Sequence, residues 1–226
     1  MGDYEPLKCI MTNSTCYKES IPMEVKGICF CTTTIGYSKL RRFVQPSEDD
    51  SNYESLIQII GKNRCDNDYN HKKVQAGYQF WIGRFEHDSV GVVQALPTTL
   101  RGWGCGQGDA GSGNNDWIQV QVLHQHPELE SSYDYNAYVQ AVQNSMVILS
   151  SYICKKFGLD PLGTDKCWGI DVPVIATKTE MYNYNLAYMP NFEDWFLGEL
   201  TIDSLRNKVK ETLHESNDYT TDEWSN

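Results

Sequence analysis

The chain has 226 residues, 40% hydrophobic and 12% aromatic, which is enough to bury one sizeable core and short for two. Its formal net charge of −11 and pI near 4.8 would repel both a nucleic-acid backbone and an anionic wall polymer, so electrostatic attachment to either is excluded. An acidic surface suits solubility or a basic partner.

Met1 to Lys8 lacks a basic start followed by an apolar stretch. No segment approaches the roughly eighteen consecutive apolar residues of a membrane span, so a cytoplasmic protein without a membrane partner is expected. In that compartment the eight cysteines are expected to be reduced thiols rather than a disulfide framework.

In chain order, Met23 to Thr33 alternates as a strand, with Val25, Cys29 and Cys31 on one face and Ile28 and Phe30 on the other. Tyr53, Leu56, Ile57 and Ile60 recur at helical spacing, and Gly61 is a plausible stop. Gln79 to Phe85 and Val90 to Ala95 predict a hairpin turning at His87 and Asp88. A glycine-rich stretch from Gly102 to Gly113 then leads into Trp117 to Leu123, whose clean alternation predicts a strand. Tyr138, Val142, Met146, Leu149, Ile153 and Phe157 form one stripe of a long helix capped by Gly158. Val172 to Thr177 predicts another strand. Ile202, Leu205, Val209 and Leu213 mark a C-terminal helix, and the last dozen residues, rich in acids, predict a frayed tail. Strands alternating with covering helices give an α/β domain in three layers, a central mixed sheet flanked by helices.

Several motifs look chemical in isolation. Gly106-Gln-Gly108-Asp-Ala-Gly111 matches a dinucleotide fingerprint, but that motif must follow a buried strand and open a helix, and here a strand comes next. His124 and His126 would share one side of a strand, yet Pro127 breaks it and no third ligand is near, so a surface loop is expected. Cys29 and Cys31 have no Cys-x-x-Cys partner pair, which is a poor zinc signal, and buried inert thiols are the expectation.

Taken together and in order, other segments are more specific. Asn13 to Lys18 followed by Val25 to Gly27, Leu96-Pro97, Arg101-Gly-Trp-Gly-Cys-Gly106, Gly111-Ser-Gly-Asn-Asn115 and Cys154 to Leu162 are similar to the N-acetylmuramoyl-L-alanine amidases shared by phage endolysins and peptidoglycan recognition proteins. The resemblance spans residues 13–200, which implies an amidase-like domain over 1–200 followed by a helix and acidic tail over 201–226. Active members of that family bind zinc through two histidines and a third ligand and use a glutamate to activate the metal-bound water.

The resemblance places those positions on different residues here. The first histidine falls on Cys31, the second on Lys178, the third ligand near Asn191 and the glutamate on Gln121. Two groove histidines are also replaced, by Gln79 and Gly104. A lysine brings positive charge to a dication site and a glutamine cannot accept a proton, so neither a bound metal nor catalysis is expected. The resemblance therefore implies a pseudoenzyme that binds a protein partner, such as a phage or mobile-element inhibitor of a host factor. The first alternative is a muropeptide binder whose groove is lined by Tyr78, Gln79, Trp103, Gly104, Asn114, Asn115 and Glu180. The second is an atypical active amidase that uses Cys31.

Overall fold

The structure, a computed structural model, describes residues 4–73, 76–124, 135–191 and 200–221. Its main sheet has six strands in the order β1-β4-β3-β5-β2-β8. These are β1 (Leu7–Lys8), β2 (Gly27–Gly36), β3 (Phe80–Arg84), β4 (Val90–Gln94), β5 (Trp117–His124) and β8 (Ile175–Thr177). Only the β3–β4 hairpin is antiparallel, while β5 pairs parallel with β2 and β3 and β2 pairs parallel with β8. The sheet is therefore mixed.

Alternation on β2 and β5 divides the core. Ile28, Phe30, Ile118, Val120 and Val122 point to one face, where they meet Tyr138, Val142, Met146, Leu149 and Ile153 of α3 (Tyr135–Phe157). Leu205 and Val209 of α5 (Ile202–Thr221) are fully buried in that same cluster. Burying side chains of this kind stabilises by about 1.5–3 kcal/mol each. On the opposite face α2 (Tyr53–Ile60) packs Leu56 and Ile60 against Trp81, Val93 and Leu123, next to a second cluster containing Cys29, Cys31, Cys105 and Trp117. Helices thus cover both faces, giving the three layers the sequence predicts.

Three local expectations are corrected. The strand begins at Gly27 rather than Met23, and Met23 and Val25 pack instead against the α3 cluster. The run Val172–Thr177 is broken. Its first part lies in β7 (Ile170–Pro173), which pairs with β6 (Thr164–Cys167) in a separate hairpin, and only β8 joins the main sheet. Pro173 has no N–H to continue the ladder and its carbonyl accepts from the Trp117 indole at 3.0 Å, while the next carbonyl, of Val174, accepts from the Ile28 amide at 2.7 Å. Finally, α5 continues to Thr221 where a frayed tail is expected, because extension of an already packed helix adds a hydrogen bond for each residue fixed. Residues 222–226 of that tail lie outside the described residues.

Other expectations stand. The helix over Tyr53–Ile60 and the hairpin over 80–94 form as predicted. Gly108 and Gly111 pair in a tight turn that leads to β5 and not to a helix, so the nucleotide fingerprint is coincidental. His124 ends β5 half-buried, and His126 lies outside the described residues. All eight cysteines are free thiols. No described helix is long and apolar enough to cross a membrane.

Candidate functional site

The residues of interest gather along the first half of β2 and β5, beside the end of β8, where Thr177 and Val120 are both level with Phe30. Register pairs Cys29 with Gln119 and Cys31 with Gln121, so two thiols and two amides project from adjacent strands on one face. β8 leads directly into α4 (Lys178–Asn183), whose first residue is Lys178. Thr177 caps that helix, and Glu180 completes a reciprocal capping box. A lysine in the first turn opposes the helix dipole, so its charge is held there against the local field.

The glycine-rich loop is fastened by Asn114. Its Oδ1 accepts from the amides of Gly104 and Cys105, both at 2.9 Å, and its Nδ2 donates to the Gly106 carbonyl at 3.0 Å and to Ser112 Oγ at 2.8 Å. This grip delivers Cys105 to the sheet, where its Sγ lies 3.4 Å from that of Cys29. The Sγ atoms of Cys29, Cys31 and Cys105 all fall within 4.8 Å of one another and are buried. The fold thus assembles a set of three soft donors able to hold a metal ion. The sequence does not reveal it, because Cys105 reaches β2 through the fold of the glycine-rich loop, which Asn114 fastens.

Gln119 orients the cluster. Its Nε2 donates to the carbonyls of Trp117 at 2.8 Å and Gly113 at 3.1 Å, which turns its Oε1 toward the thiols. That oxygen accepts from Cys105 at 3.1 Å and from Cys31 at 3.8 Å. Burial opposes ionisation of Cys31, but hydrogen bonding from Cys105 and Cys29 and the charge of Lys178 outweigh it and hold this thiol well below its ordinary value. Burial and the bonds to the other two thiols push Cys29 well above it.

The four positions implied by the resemblance do not fit a zinc ion as a set. Cys31 offers a soft donor, but Lys178 presents an ammonium and Asn191 an amide. Asn191 sits close to β2, donating from Nδ2 to the Thr32 carbonyl at 2.9 Å, and its Oδ1 is buried and has no partner among the described residues. Gln121, also buried, likewise has an unpartnered Oε1. Two orphaned acceptors and an ammonium supply neither an acid–base carboxylate nor an imidazole ligand.

The residues expected to line a groove are divided between interior and rim. Gln79 is wholly buried, donating to the Leu100 carbonyl at 2.7 Å and accepting from the Gln119 amide at 2.8 Å. Asn114 and Gly104 are buried, and a side chain at Gly104 would meet Gln119 Oε1 and the Tyr78 ring, both 2.7 Å from its first carbon. Tyr78 is half-buried, edge-on to Trp81 with ring centres 4.9 Å apart. Glu180 turns to Arg206 of α5 in an ion pair at 2.7 Å. Trp103, beneath the Arg101 guanidinium at 4.6 Å, and Asn115 remain half-exposed.

Sequence reasoning missed an aromatic rim. Trp168 is 59% exposed at the tip of the β6–β7 hairpin, Tyr188 is 70% exposed, and Met189 and Tyr182 are exposed close by in the chain. Trp168 and Tyr188 both rest on the glycine-rich loop, over Gly111 and Gly106. Trp168 and Gly169 have φ of 52° and 82°, the left-handed pair of a tight hairpin turn that normally takes Asn or Gly first. A bulky residue there is strained, and that local oddity was the available sign.

No curated protein matches this chain. Among solved structures, the PlyG catalytic domain has a TM-score of 0.52 at 15% identity, covering 93% of this chain and 96% of that one. The Staphylococcus aureus hydrolase AmiA, solved with its ligand, has a TM-score of 0.51 at 16% identity, covering 94% and 80%. The catalytic domain of XlyA has a TM-score of 0.51 at 13% identity, covering 91% and 99%. At these identities the likenesses establish the mixed sheet flanked by helices as a shared fold. Residues 27–179, which span β2 to the start of α4, match the N-acetylmuramoyl-L-alanine amidase family, and the chain belongs to it.

Proposed function

We propose that this chain keeps the amidase scaffold without hydrolysing peptidoglycan and acts by binding a protein partner. The observation that carries this reading is Gln121. It lies buried on β5 beside Cys31, where the resemblance places a proton-handling glutamate. An amide neither accepts nor releases a proton near neutral pH, so no general base acts from that position. Lys178 adds an ammonium at a ligand position and reinforces the loss.

For binding, the favourable feature is the rim of Trp168, Tyr188, Met189 and Tyr182, since exposed aromatic and methionine side chains are the types enriched at interface centres. The net charge of −11 suits a partner with a basic contact face.

The test combines three measurements on the zinc-supplemented protein: release of stem peptide from peptidoglycan, titration with muropeptide, and partner capture by the parent chain and by Trp168→Ala. The expected result is no release, no muropeptide binding, and capture that Trp168→Ala abolishes. Peptide release lost in Gln121→Ala would sink the proposal in favour of an active amidase. Muropeptide binding without release would instead favour the groove that Trp103 and Asn115 border.

A further inference from the structure

We infer that Cys29, Cys31 and Cys105, with the side-chain oxygen of Gln119, form a closed four-donor site for one thiophilic divalent cation of the zinc type. This site is distinct from the ligand set of the family resemblance and shares only Cys31 with it. It rests on geometry alone and stands whether or not the protein binds a partner.

The donors come from three places in the chain that the fold brings together: β2, β5 and the glycine-rich loop. Sulfurs on a tetrahedral zinc stand roughly 3.8 Å apart, given a Zn–S distance of about 2.3 Å. The three Sγ atoms lie within 4.8 Å of one another and the Cys29–Cys105 pair is at 3.4 Å, so sub-ångström adjustments bring all three onto one ion. The fourth vertex is already aimed. Gln119 Oε1 lies 3.1 Å from Cys105 Sγ, and its amide cannot flip without breaking the bonds from Nε2 to Trp117 and Gly113.

Chemistry selects the ion class. Thiolates prefer soft or borderline cations to magnesium or calcium, and the cluster sits in a dry interior where exposures are 0% for Cys29, Cys105 and Gln119 and 1% for Cys31. As each S–metal bond forms, the thiol proton leaves to solvent. Three thiolates and a dication sum to one negative charge, and the nearby ammonium of Lys178, which acts electrostatically on Cys31 and Cys105, offsets it. All four positions are taken by protein, so no vertex is open to water. Such a site cross-links β2, β5 and the loop, and does not restore hydrolysis.

Cobalt(II) alone, added to the reduced full-length protein, is the probe. The expected result is one equivalent bound, a thiolate-to-cobalt charge-transfer band with tetrahedral ligand-field intensity, and a raised thermal midpoint that a chelator reverses. Cys29→Ser and Cys105→Ser should each lose the band while Asn191→Ala keeps it. The inference is overturned if the unaltered reduced protein binds no cobalt and gains no thermal stability. It is equally overturned if the band survives both cysteine changes and disappears in Asn191→Ala, which would place the metal at the family position. If a serine variant fails to fold, Asn191→Ala, which leaves all three thiols in place, decides the case: a retained band and a cobalt-raised Tm support the inference, and loss of both overturns it. Peptidoglycan release, scored separately, reports only on the loss of hydrolysis.

Discussion

The two faces of β2 and β5 present opposite kinds of chemistry from the same strands. Toward α3 and α5 they show Ile28, Phe30, Ile118, Val120 and Val122, an apolar surface of the sort any parallel sheet needs. Toward the loop side, the intervening residues are Cys29, Cys31, Gln119 and Gln121, held by polar contacts and by a loop tied down through Asn114. The first face obeys a physical rule that many residues satisfy. The second depends on particular donor atoms, and it carries Cys31 and Gln121, the positions on which the proposed loss of hydrolysis rests. Scaffold and chemistry occupy alternate residues of the same strands, so one can change while the other persists.

Cutting into the helix-covered face should have the largest effect. Ile118→Ala is expected to lower unfolding stability by about 2–5 kcal/mol in urea titration, through lost burial and a cavity. On the other face, Asn114→Ala frees the buried amides of Gly104 and Cys105 and should cost about 1–3 kcal/mol. It should also abolish the cobalt charge-transfer band, which Ile118→Ala, if folded, retains. Removing the helix cap with Thr177→Ala is expected to cost about 1 kcal/mol.

The smallest effects sharpen the contrast between inside and outside. Burial pushes the thiols of Cys9, Cys154 and Cys167 up to about 12, and the thiolate is the reactive form. Cys65 is the one exposed cysteine. Cys31, although its thiol is held low, is 1% exposed and out of reach of a reagent, so a native-state disulfide-exchange assay at neutral pH should count one fast thiol, and Cys65→Ser should remove it. Trp168→Asn should raise stability by about 1 kcal/mol, by relieving the left-handed strain, while partner capture falls.

Much of the fold was legible because periodicity reports burial. The alternation of Trp117 to Leu123 and the stripe from Tyr138 to Phe157 each follow from which side meets the core. The break at Pro173 was not legible, since Val172 to Thr177 reads as continuous β-forming residues and only the competition for carbonyls divides it. Of the site, Gln121 and Lys178 are singled out only by the family resemblance. The union of Cys105 with Cys29 was not legible, because residues 76 apart in the chain meet only after the glycine-rich loop has folded. Glu180 shows the converse. Its side chain is taken by Arg206, which also reaches the Ile175 carbonyl at 2.7 Å and so pins α5 to the edge strand.

The hairpin tip sets folding and binding against each other in a way a selection experiment can read. At φ of 52° the backbone of Trp168 suits asparagine or glycine better than an indole. In a library randomised at this codon and sorted only for folded protein, tryptophan should be displaced within a few rounds. Sorted for retention of a partner, the same library should converge back on an aromatic residue. A divergence between the two enriched populations would identify this codon as one kept by a pressure other than folding.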